Sequence, residues 1–260
     1  MKKYELMEET MNQNNRILHR IRALRDFGKV KAGYPGGWIE SEKNLSHDGD
    51  CWVWHNAKIY DNAQVSGNAQ IYDNAWVCNN AKVCDNAQVC ANSWVYNSAQ
   101  ISGSALLLDN AQVYNNAQVY DKAQITGGAH IFGHAKVYGN AQVFDDAVVY
   151  GRALVYGRAI VCHSAHVYGK ASAYDFAKIL GNSHVLDGKW GKAPLYIQGT
   201  RHSLSVASYS KLAIGCEIHP VKWWLEHYKE TGEANGYTPD EIREYGYHIR
   251  YAAKWLERNT

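Results

Sequence analysis

Histidines at regular intervals are the side chains of this chain whose type and spacing could support chemistry. His130 and His166 are 36 residues apart, and His184 follows His166 by 18. If these spacings bring imidazoles together, His163, His166 and His184 form a candidate metal group that could hold Zn²⁺ or Ni²⁺ with one coordination position open. His130, His166 and His184 are the candidate catalytic residues. The alternative is an exposed row of ordinary histidines. We favour it, and predict no catalytic residue, no bound metal and no cofactor.

The histidine intervals follow from a six-residue repeat in the middle of the chain. From Val53 to Val185 every sixth residue is Val, Ile or Leu in 22 of 23 positions, and Ala173 is the exception. Two residues later the chain has Gly, Asp or Asn in 20 of the 23 repeats, and four residues later it has Ala in 20. The exceptions at the Gly/Asp/Asn position are His55, Ala91 and His163.

Each repeat encodes one short strand and one corner. β-Branched residues favour an extended backbone, and the Ala and the Val two residues later face the same side of it. The Gly, Asp or Asn that follows tolerates positive φ and turns the chain. Because the inward side never reverses, the chain coils and each turn stacks on the last. Three repeats per triangular coil make an 18-residue coil, so the 23 repeats predict about 7.7 coils.

The periodicity resembles the hexapeptide-repeat, left-handed parallel β-helix superfamily. The left hand is implied by this resemblance alone, since general rules for parallel crossovers favour a right hand. We therefore predict a mainly β fold. A left-handed parallel β-helix (a triangular solenoid) of about 7 to 8 coils spans 52–193, between an N-terminal cap (1–51) and a small C-terminal α+β unit with two helices (194–260).

Two enzyme classes of the superfamily can be compared with the sequence. Its acyltransferases place a catalytic histidine near a loop thrown out of the column, with the acyl donor between subunits of a trimer. The 23 repeats here contain no such loop. Its γ-type carbonic anhydrases bind zinc through two histidines two coils apart and a third five residues further on. His130 and His166 have the first spacing, but Ala171 stands five residues after His166, so this triad is broken.

The segment before the repeat carries a closer resemblance. The run from Ala23 to Val53 is similar to the leader of the YdcK-like hexapeptide proteins, which are classed as transferases and occur in bacterial and phage genomes. This resemblance covers the cap and the repeat and lends no catalytic residue to the chain. The residues that carry it are Asp26, Phe27, Val30, Ala32, Gly33, Gly36, Gly37, Trp38, Gly49, Cys51 and Trp52.

The two ends of the chain are expected to close the column. An uncovered β-helix end would expose strand edges and core, so we expect residues 1–51 to cover the base. The polar opening predicts an edge or a short strand at most. Ile17, Ile21 and Ala23 alternate with charged residues as in a half-exposed strand. The GYPGG run at 33–37 predicts a tight turn.

The C-terminal unit is expected to cover the top of the column. The runs HSLSVAS and KLAIGC alternate like two short strands. Pro220 is expected to open a helix that ends near Gly232, and Thr238 with Glu241 predicts the capping box of a second helix. The expected buried stripes are Val221, Trp224, Leu225 and Tyr228 on the first helix and Ile242, Tyr245, Ile249, Ala253 and Leu256 on the second.

Composition limits the partners and the compartment. The net charge is +2, and the repeat carries nine acidic and nine basic residues, which argues against a nucleic-acid partner. The sequence has no apolar run of 18 residues and no signal peptide, so we predict a cytoplasmic protein without a membrane segment. Cys78, Cys84 and Cys90 fall on three different faces and cannot pair, which suits a reducing cytosol. Cys51 is in the inward phase.

Residues 18 positions apart should lie directly above one another and form outward ladders. One amide column is Gln70, Gln88, Gln124 and Gln142, interrupted by Leu106. The aromatic ladders are Tyr96, Tyr114, Phe132, Tyr150 and Tyr168, and Tyr120, Tyr138, Tyr156 and Tyr174. Stacked rings and amides could serve only to stiffen the column, or could form an interaction surface. The candidate binding surface is Tyr114, Tyr120, Phe132, Tyr138, Tyr150, Tyr156, Tyr168, Tyr174, Arg152, Arg158 and Trp223.

Two functions of different class remain open from the sequence. The favoured one is a non-catalytic rigid scaffold, a homo-oligomer (dimer or trimer) that presents its faces and its C-terminal unit to a protein partner. The occurrence of similar chains in phages suggests a host defence component as that partner. The alternative is a hexapeptide-class acyl- or nucleotide-dependent transferase, with an inter-subunit site around His130, His166 and His184.

Overall fold

Every six-residue repeat forms one two-residue strand followed by a corner. The computed structural model describes residues 2–259, where three N-terminal strands come first: β1 (Tyr4–Gln13), β2 (Arg16–Ala23) and β3 (Pro35–Ile39). The 24 solenoid strands β4 to β27 are Trp52–Val53, Lys58–Ile59, Gln64–Val65, Gln70–Ile71, Trp76–Val77, Lys82–Val83, Gln88–Val89, Trp94–Val95, Gln100–Ile101, Leu106–Leu107, Gln112–Val113, Gln118–Val119, Gln124–Ile125, His130–Ile131, Lys136–Val137, Gln142–Val143, Val148–Val149, Leu154–Val155, Ile160–Val161, His166–Val167, Ser172–Ala173, Lys178–Ile179, His184–Val185 and Lys189–Trp190. With three strands to a coil they make eight coils, and the predicted β-solenoid is confirmed.

The solenoid strands pair in parallel with the strands one coil away. Val95, for example, pairs with Val113, 18 residues later, and the strands assemble into three sheets, one for each side of the coil. The branched aliphatics and alanines of the repeat fill the axis. Val113 and Val137 are fully buried, whereas Tyr114 lies partly exposed on the outside, as the sequence predicts.

The corners explain why the repeat tolerates so few residue types there. Except at the last repeat, the residue two places after the sixth-position residue has positive φ, for example 59° at Asp121 and 71° at Gly139. Corner aspartates also connect coils: Asp121 Oδ2 accepts the backbone N–H of Gly139, one coil higher, at 3.1 Å. Amide-to-amide bonds join corner asparagines, as between Asn68 and Asn86 at 3.1 Å. The predicted glutamine column shares one sheet, where Gln70 Nε2 donates to the Asp50 carbonyl of the coil below at 2.8 Å.

The N-terminal strands form a cap on the base of the column. β1 and β2 pair antiparallel, β2 pairs with β3, and β3 joins the solenoid by parallel pairing with β5. The Tyr4 hydroxyl donates to the Leu45 carbonyl at 2.7 Å. Tyr4 and Phe27 both lie edge-on against the fully buried Trp52. Cap and column therefore share one hydrophobic core.

Three predictions for the cap are only partly right. The polar opening is an edge strand, as one of the two alternatives predicted, but it is ten residues long because β2 pairs with it. Ile17 is 60% exposed while Leu18 and Ile21 are buried, since irregular pairing in β1 and β2 breaks the strict alternation. The predicted turn is present at Ala32 and Gly33, where Gly33 has a φ of 82°, but Gly36 and Gly37 lie within β3. A Cβ on Gly36 would lie 2.5 Å from Ile21, so glycine is required there by close packing.

Four antiparallel strands and two helices close the top. They are β28 (Tyr196–Gln198), β29 (Ser203–Ser208), β30 (Lys211–Ile214), β31 (Glu217–Pro220), α1 (Val221–Ala234) and α2 (Pro239–Asn259). β29 lies over the last coil, where the Ala207 carbonyl accepts the Leu186 N–H at 2.7 Å. Trp190 contacts both Tyr209 and Trp255.

The predicted capping box of α2 is present, but two of the residues predicted to lie on the buried faces of the helices do not. Thr238 Oγ1 accepts the Glu241 N–H at 3.3 Å, and Glu241 accepts the Thr238 N–H at 2.7 Å, so the capping box is present. Leu225 is 41% exposed because it lies on the side of α1 away from the core. Ala252, rather than Ala253, is buried on α2.

Neither disulfides nor a helix suited to a bilayer occurs in the described residues. All six cysteines are free, and Cys51 is fully buried as predicted. No helix within residues 2–259 has the length and apolarity needed to cross a membrane.

Candidate functional site

Aromatic rings cover one side of the solenoid along much of its height. Tyr96, Tyr114, Phe132, Tyr150 and Tyr168 stack in the predicted ladder, with ring centroids 4.8 to 5.0 Å apart and planes within 8°. A neighbouring column on the same sheet holds Trp76 and Trp94, stacked at 4.7 Å, followed by His130, His166 and His184. We name these ten rings the aromatic face.

The two columns of the aromatic face interlock edge to face. Tyr114 meets His130 at 6.2 Å and 88°, Tyr150 meets His166 at 6.3 Å and 86°, and Trp94 meets Tyr96 in the same manner. Most of these rings have both a stacked neighbour above or below and an edge neighbour beside them, the arrangement that aromatic pairs favour; Phe132 is only stacked, and His130 has only its edge contact with Tyr114. Trp76 and Trp94 are not among the predicted ladders, although their 18-residue spacing is visible in the sequence.

The aromatic face is neutral and only partly accessible. Burial, with a smaller contribution from Tyr150, raises the pKa of Tyr168 to about 12. Burial also raises the pKa of Tyr114 above its usual value. Trp94 is the most open ring, at 41% exposure. The face therefore offers rigid, uncharged aromatic area at neutral pH.

The second predicted ladder is also present. Tyr120, Tyr138, Tyr156 and Tyr174 stack with centroids 4.8 to 5.4 Å apart and planes within 12°. The exposed Arg152 and Arg158 lie at different corners of the coil, and Arg158 instead stacks 5.5 Å over Phe176. Trp223, on α1, is sandwiched between His219 at 3.7 Å and His227 at 4.7 Å.

The candidate histidines separate into two groups. His166 and His184 stack at 4.9 Å on neighbouring coils, and His130 lies on the same sheet two coils below His166. Burial lowers the pKa of His166 and of His184 below 6.5, and His166 lowers that of His184 further. His163 does not join this pair, because it occupies a corner, where it contacts Cys162.

A polar cleft adjoins the top of the aromatic face, where the last coils meet the C-terminal unit. We name it the histidine cleft. Its volume is about 330 Å³, and its lining includes Ser164, His166, Asn182, His184, His202 and Cys216. The His184 backbone N–H donates to Ser205 Oγ of β29 at 3.0 Å, so the C-terminal unit fixes this wall of the cleft. Sequence reasoning could not place β29 here.

A second, more apolar cavity of about 310 Å³ lies inside the C-terminal unit and shares Arg201, His202 and Cys216 with the histidine cleft. Trp224, Tyr228, Tyr237, Ile242, Tyr245 and Ile249 line it. Arg201 lies 4.6 Å over the Tyr237 ring and 3.3 Å from the Glu241 carboxylate, which neutralises it. The volume lies within the range of small-molecule pockets.

Fold and repeat together define the class: the chain is a hexapeptide-repeat β-solenoid protein. The family model described as the YdcK beta solenoid repeat matches residues 63–79. The chain is also 36% identical, over 74 residues, to the uncharacterized acetyltransferase YdcK of Escherichia coli (strain K12). This match spans 25% of the chain and 23% of that relative. This similarity supports the assignment to the β-solenoid class. It does not extend the relative's activity to this chain.

Proposed function

We propose that the protein is a non-catalytic rigid scaffold that binds a protein partner through its aromatic face. The observation that carries this proposal is the row of ten partly exposed rings along one side of the column, each held by a stacked or an edge-on neighbour. Aromatic side chains dominate binding energy at protein interfaces. Rings that are already fixed lose little conformational entropy on binding, so this surface is pre-organised for a partner.

The proposal extends to the partner and the assembly. A flat, neutral face suits either a different protein or a second copy of the chain, and a dimer or trimer would cover it. Trp223, held between two imidazoles on α1, offers a further anchor on the C-terminal unit. The six free cysteines are consistent with a cytoplasmic setting. A host defence component is the partner suggested by the resemblance to phage chains.

Serine substitutions on the aromatic face test the proposal. The repeat uses serine at the equivalent positions Ser66 and Ser102, so Tyr114→Ser and Tyr150→Ser should keep the coil intact. Phe144→Ser is the matched control, since Phe144 occupies the same repeat position on another edge. We expect a partner captured from a bacterial lysate, or the oligomer measured by solution mass, to be lost in the tyrosine variants and kept in the control. Equal loss in all three would refute a role for this face.

A second candidate function is group transfer in the histidine cleft, with an acyl- or nucleotide-based donor. It is favoured by one observation, the pairing of His166 and His184 at the wall of a cleft that also contains His202 and Cys216. The name of the E. coli relative agrees with it. Calorimetric titration with acetyl-CoA or a nucleotide sugar tests it. Binding that His166→Ala abolishes and His130→Ala preserves would replace the scaffold proposal.

A further inference from the structure

One edge of the solenoid departs from the corner rule of the repeat. The exceptions His55, Ala91 and His163 are separated by 36 and 72 residues, which are multiples of the 18-residue coil, so all three lie on this edge. Their φ values are 51°, 58° and 59°, as at the other corners. Glycine adopts this conformation more easily than alanine or histidine. Histidine at 163 is therefore not explained by backbone geometry.

The surroundings of His163 place three potential metal ligands together. The sulfur of the buried Cys162 lies 3.1 Å from His163 Nδ1. Asp145, one coil below, has Oδ2 at 3.9 Å from the same nitrogen, and this oxygen accepts the His163 backbone N–H at 3.0 Å. The three ligand atoms lie within 4.8 Å of one another, and no other such group of three occurs in residues 2–259.

We propose that Asp145, Cys162 and His163 form a binding site for a divalent cation of the zinc type. Sulfur, imidazole nitrogen and carboxylate oxygen are zinc ligands, and a thiolate disfavours Mg²⁺ and Ca²⁺. Tetrahedral zinc with ordinary bond lengths needs about 3.6 Å between S and N and about 3.3 Å between N and O. To reach these separations, the sulfur and the nitrogen would move apart by about 0.5 Å, and the nitrogen and the carboxylate oxygen would approach by about 0.6 Å.

The site is open on its outer side. The His163 side chain is 63% exposed and that of Asp145 is 49% exposed, whereas Cys162 closes the inner side. An ion bound by these three residues keeps one position for water, and carboxylate and thiolate offset its charge. Because Asp145 belongs to the coil below that of Cys162 and His163, the ion joins two successive coils of the column.

The same edge contains a natural comparison. Four coils below, Asp73, Cys90 and Ala91 occupy the three equivalent positions, and the Ala91 N–H donates to Asp73 Oδ2 at 3.3 Å. Only the imidazole is missing. On the far side of Asp73, His55 Nδ1 lies 3.2 Å from Oδ1. The double variant His55→Asn, Ala91→His would thus reproduce the arrangement of Asp145, Cys162 and His163.

Titration of the full-length, chelator-treated protein with Co²⁺ and then Zn²⁺ tests the proposal. We expect one equivalent of Co²⁺ with a sulfur-to-cobalt charge-transfer absorption, displaced by Zn²⁺, and a Zn²⁺-dependent rise in the unfolding temperature. Loss of a supporting contact to a metal ligand weakens binding by about 10- to 100-fold, so loss of a ligand should cost at least as much.

Variants separate this site from other thiols and imidazoles of the chain. His163→Gly introduces glycine, the residue that occupies the equivalent position one coil above (Gly181), so this variant should keep the fold and lose the ion. Cys162→Ser should also lose the ion. Cys90→Ser and His184→Gln should bind like the unaltered chain, and the double variant should bind two equivalents. The proposal is overturned if no ion binds at micromolar concentration, if binding survives His163→Gly, or if the double variant gains no second equivalent.

Discussion

Removing side-chain volume from the axis of the solenoid should cost far more stability than the same change on its outside. Val137 is fully buried, between Val119 in the coil below and Val155 in the coil above. Val137→Ala removes two methyl-sized groups, about 1.6 kcal/mol of transfer free energy, and leaves a cavity that raises the cost to about 2 kcal/mol. The coils cannot close in, because backbone bonds such as Tyr138 N–H to the Val155 carbonyl at 2.9 Å fix their spacing.

Thermal unfolding followed by circular dichroism measures this cost. With about 2.1 cal/mol/K of unfolding entropy per residue, a loss of about 2 kcal/mol lowers the midpoint by about 4 °C in a chain of this length. The matched control is Val148→Ala, which makes the same chemical change at a partly exposed position on the aromatic face and should cost about 0.5 kcal/mol or less. If Val148→Ala lowered the unfolding midpoint as much as Val137→Ala or more, the assignment of Val137 to the axis and Val148 to the outer surface would be refuted.

Two further predictions concern the corners and the histidine pair. Ala91→Gly should raise the free energy of unfolding by about 1 kcal/mol in chemical denaturation, since glycine relieves the strain of positive φ. Gly139→Ala should lower the free energy of unfolding, because the added Cβ would lie 2.9 Å from the Gly157 nitrogen. The lowered pKa values of His166 and His184 mean that the unfolded chain takes up protons first as pH falls below about 7. Stability should therefore fall as the pH drops through the ordinary histidine pKa of about 6.5, and should fall less in His184→Gln. An unchanged pH profile in that variant would contradict the burial of the pair.

The solenoid was predictable because a single six-residue rule specifies it. Each repeat states which residue faces inward and where the chain turns, and the 18-residue coil then fixes every vertical neighbour. The tyrosine ladders and the position of His130 below His166 followed from this arithmetic. Trp76 and Trp94 are also 18 residues apart, so their stacking could have been predicted in the same way.

The ends of the chain were less predictable because no repeat constrains them. The cap depends on irregular pairing between β1 and β2, which moves Ile17 to the surface, and on the close packing of Gly36 against Ile21. The histidine cleft depends on where β29 lies over the last coil. Such long-range packing leaves no periodic signal in the sequence.

The three histidines of the candidate metal group do not come together in the structure for a related reason. Proximity in sequence suggested His163 beside His166, but a corner residue and a strand residue three positions later lie on different parts of the coil. The true neighbour of His163 from another coil is Asp145, 18 residues earlier, as the ladder rule would have indicated.

The distance between residues on well-separated coils tests the stacked column most directly. Gln88 and Lys178 are exposed on the same sheet, in β10 and β25, five coils apart. Spin labels on cysteines introduced at these positions, with the accessible native cysteines replaced by serine, report their separation by electron–electron double resonance. At about 4.8 Å per coil, we predict one narrow distribution centred near 24 Å. A broad distribution, or a centre that departs from this value by more than one coil spacing, would contradict an unbroken solenoid.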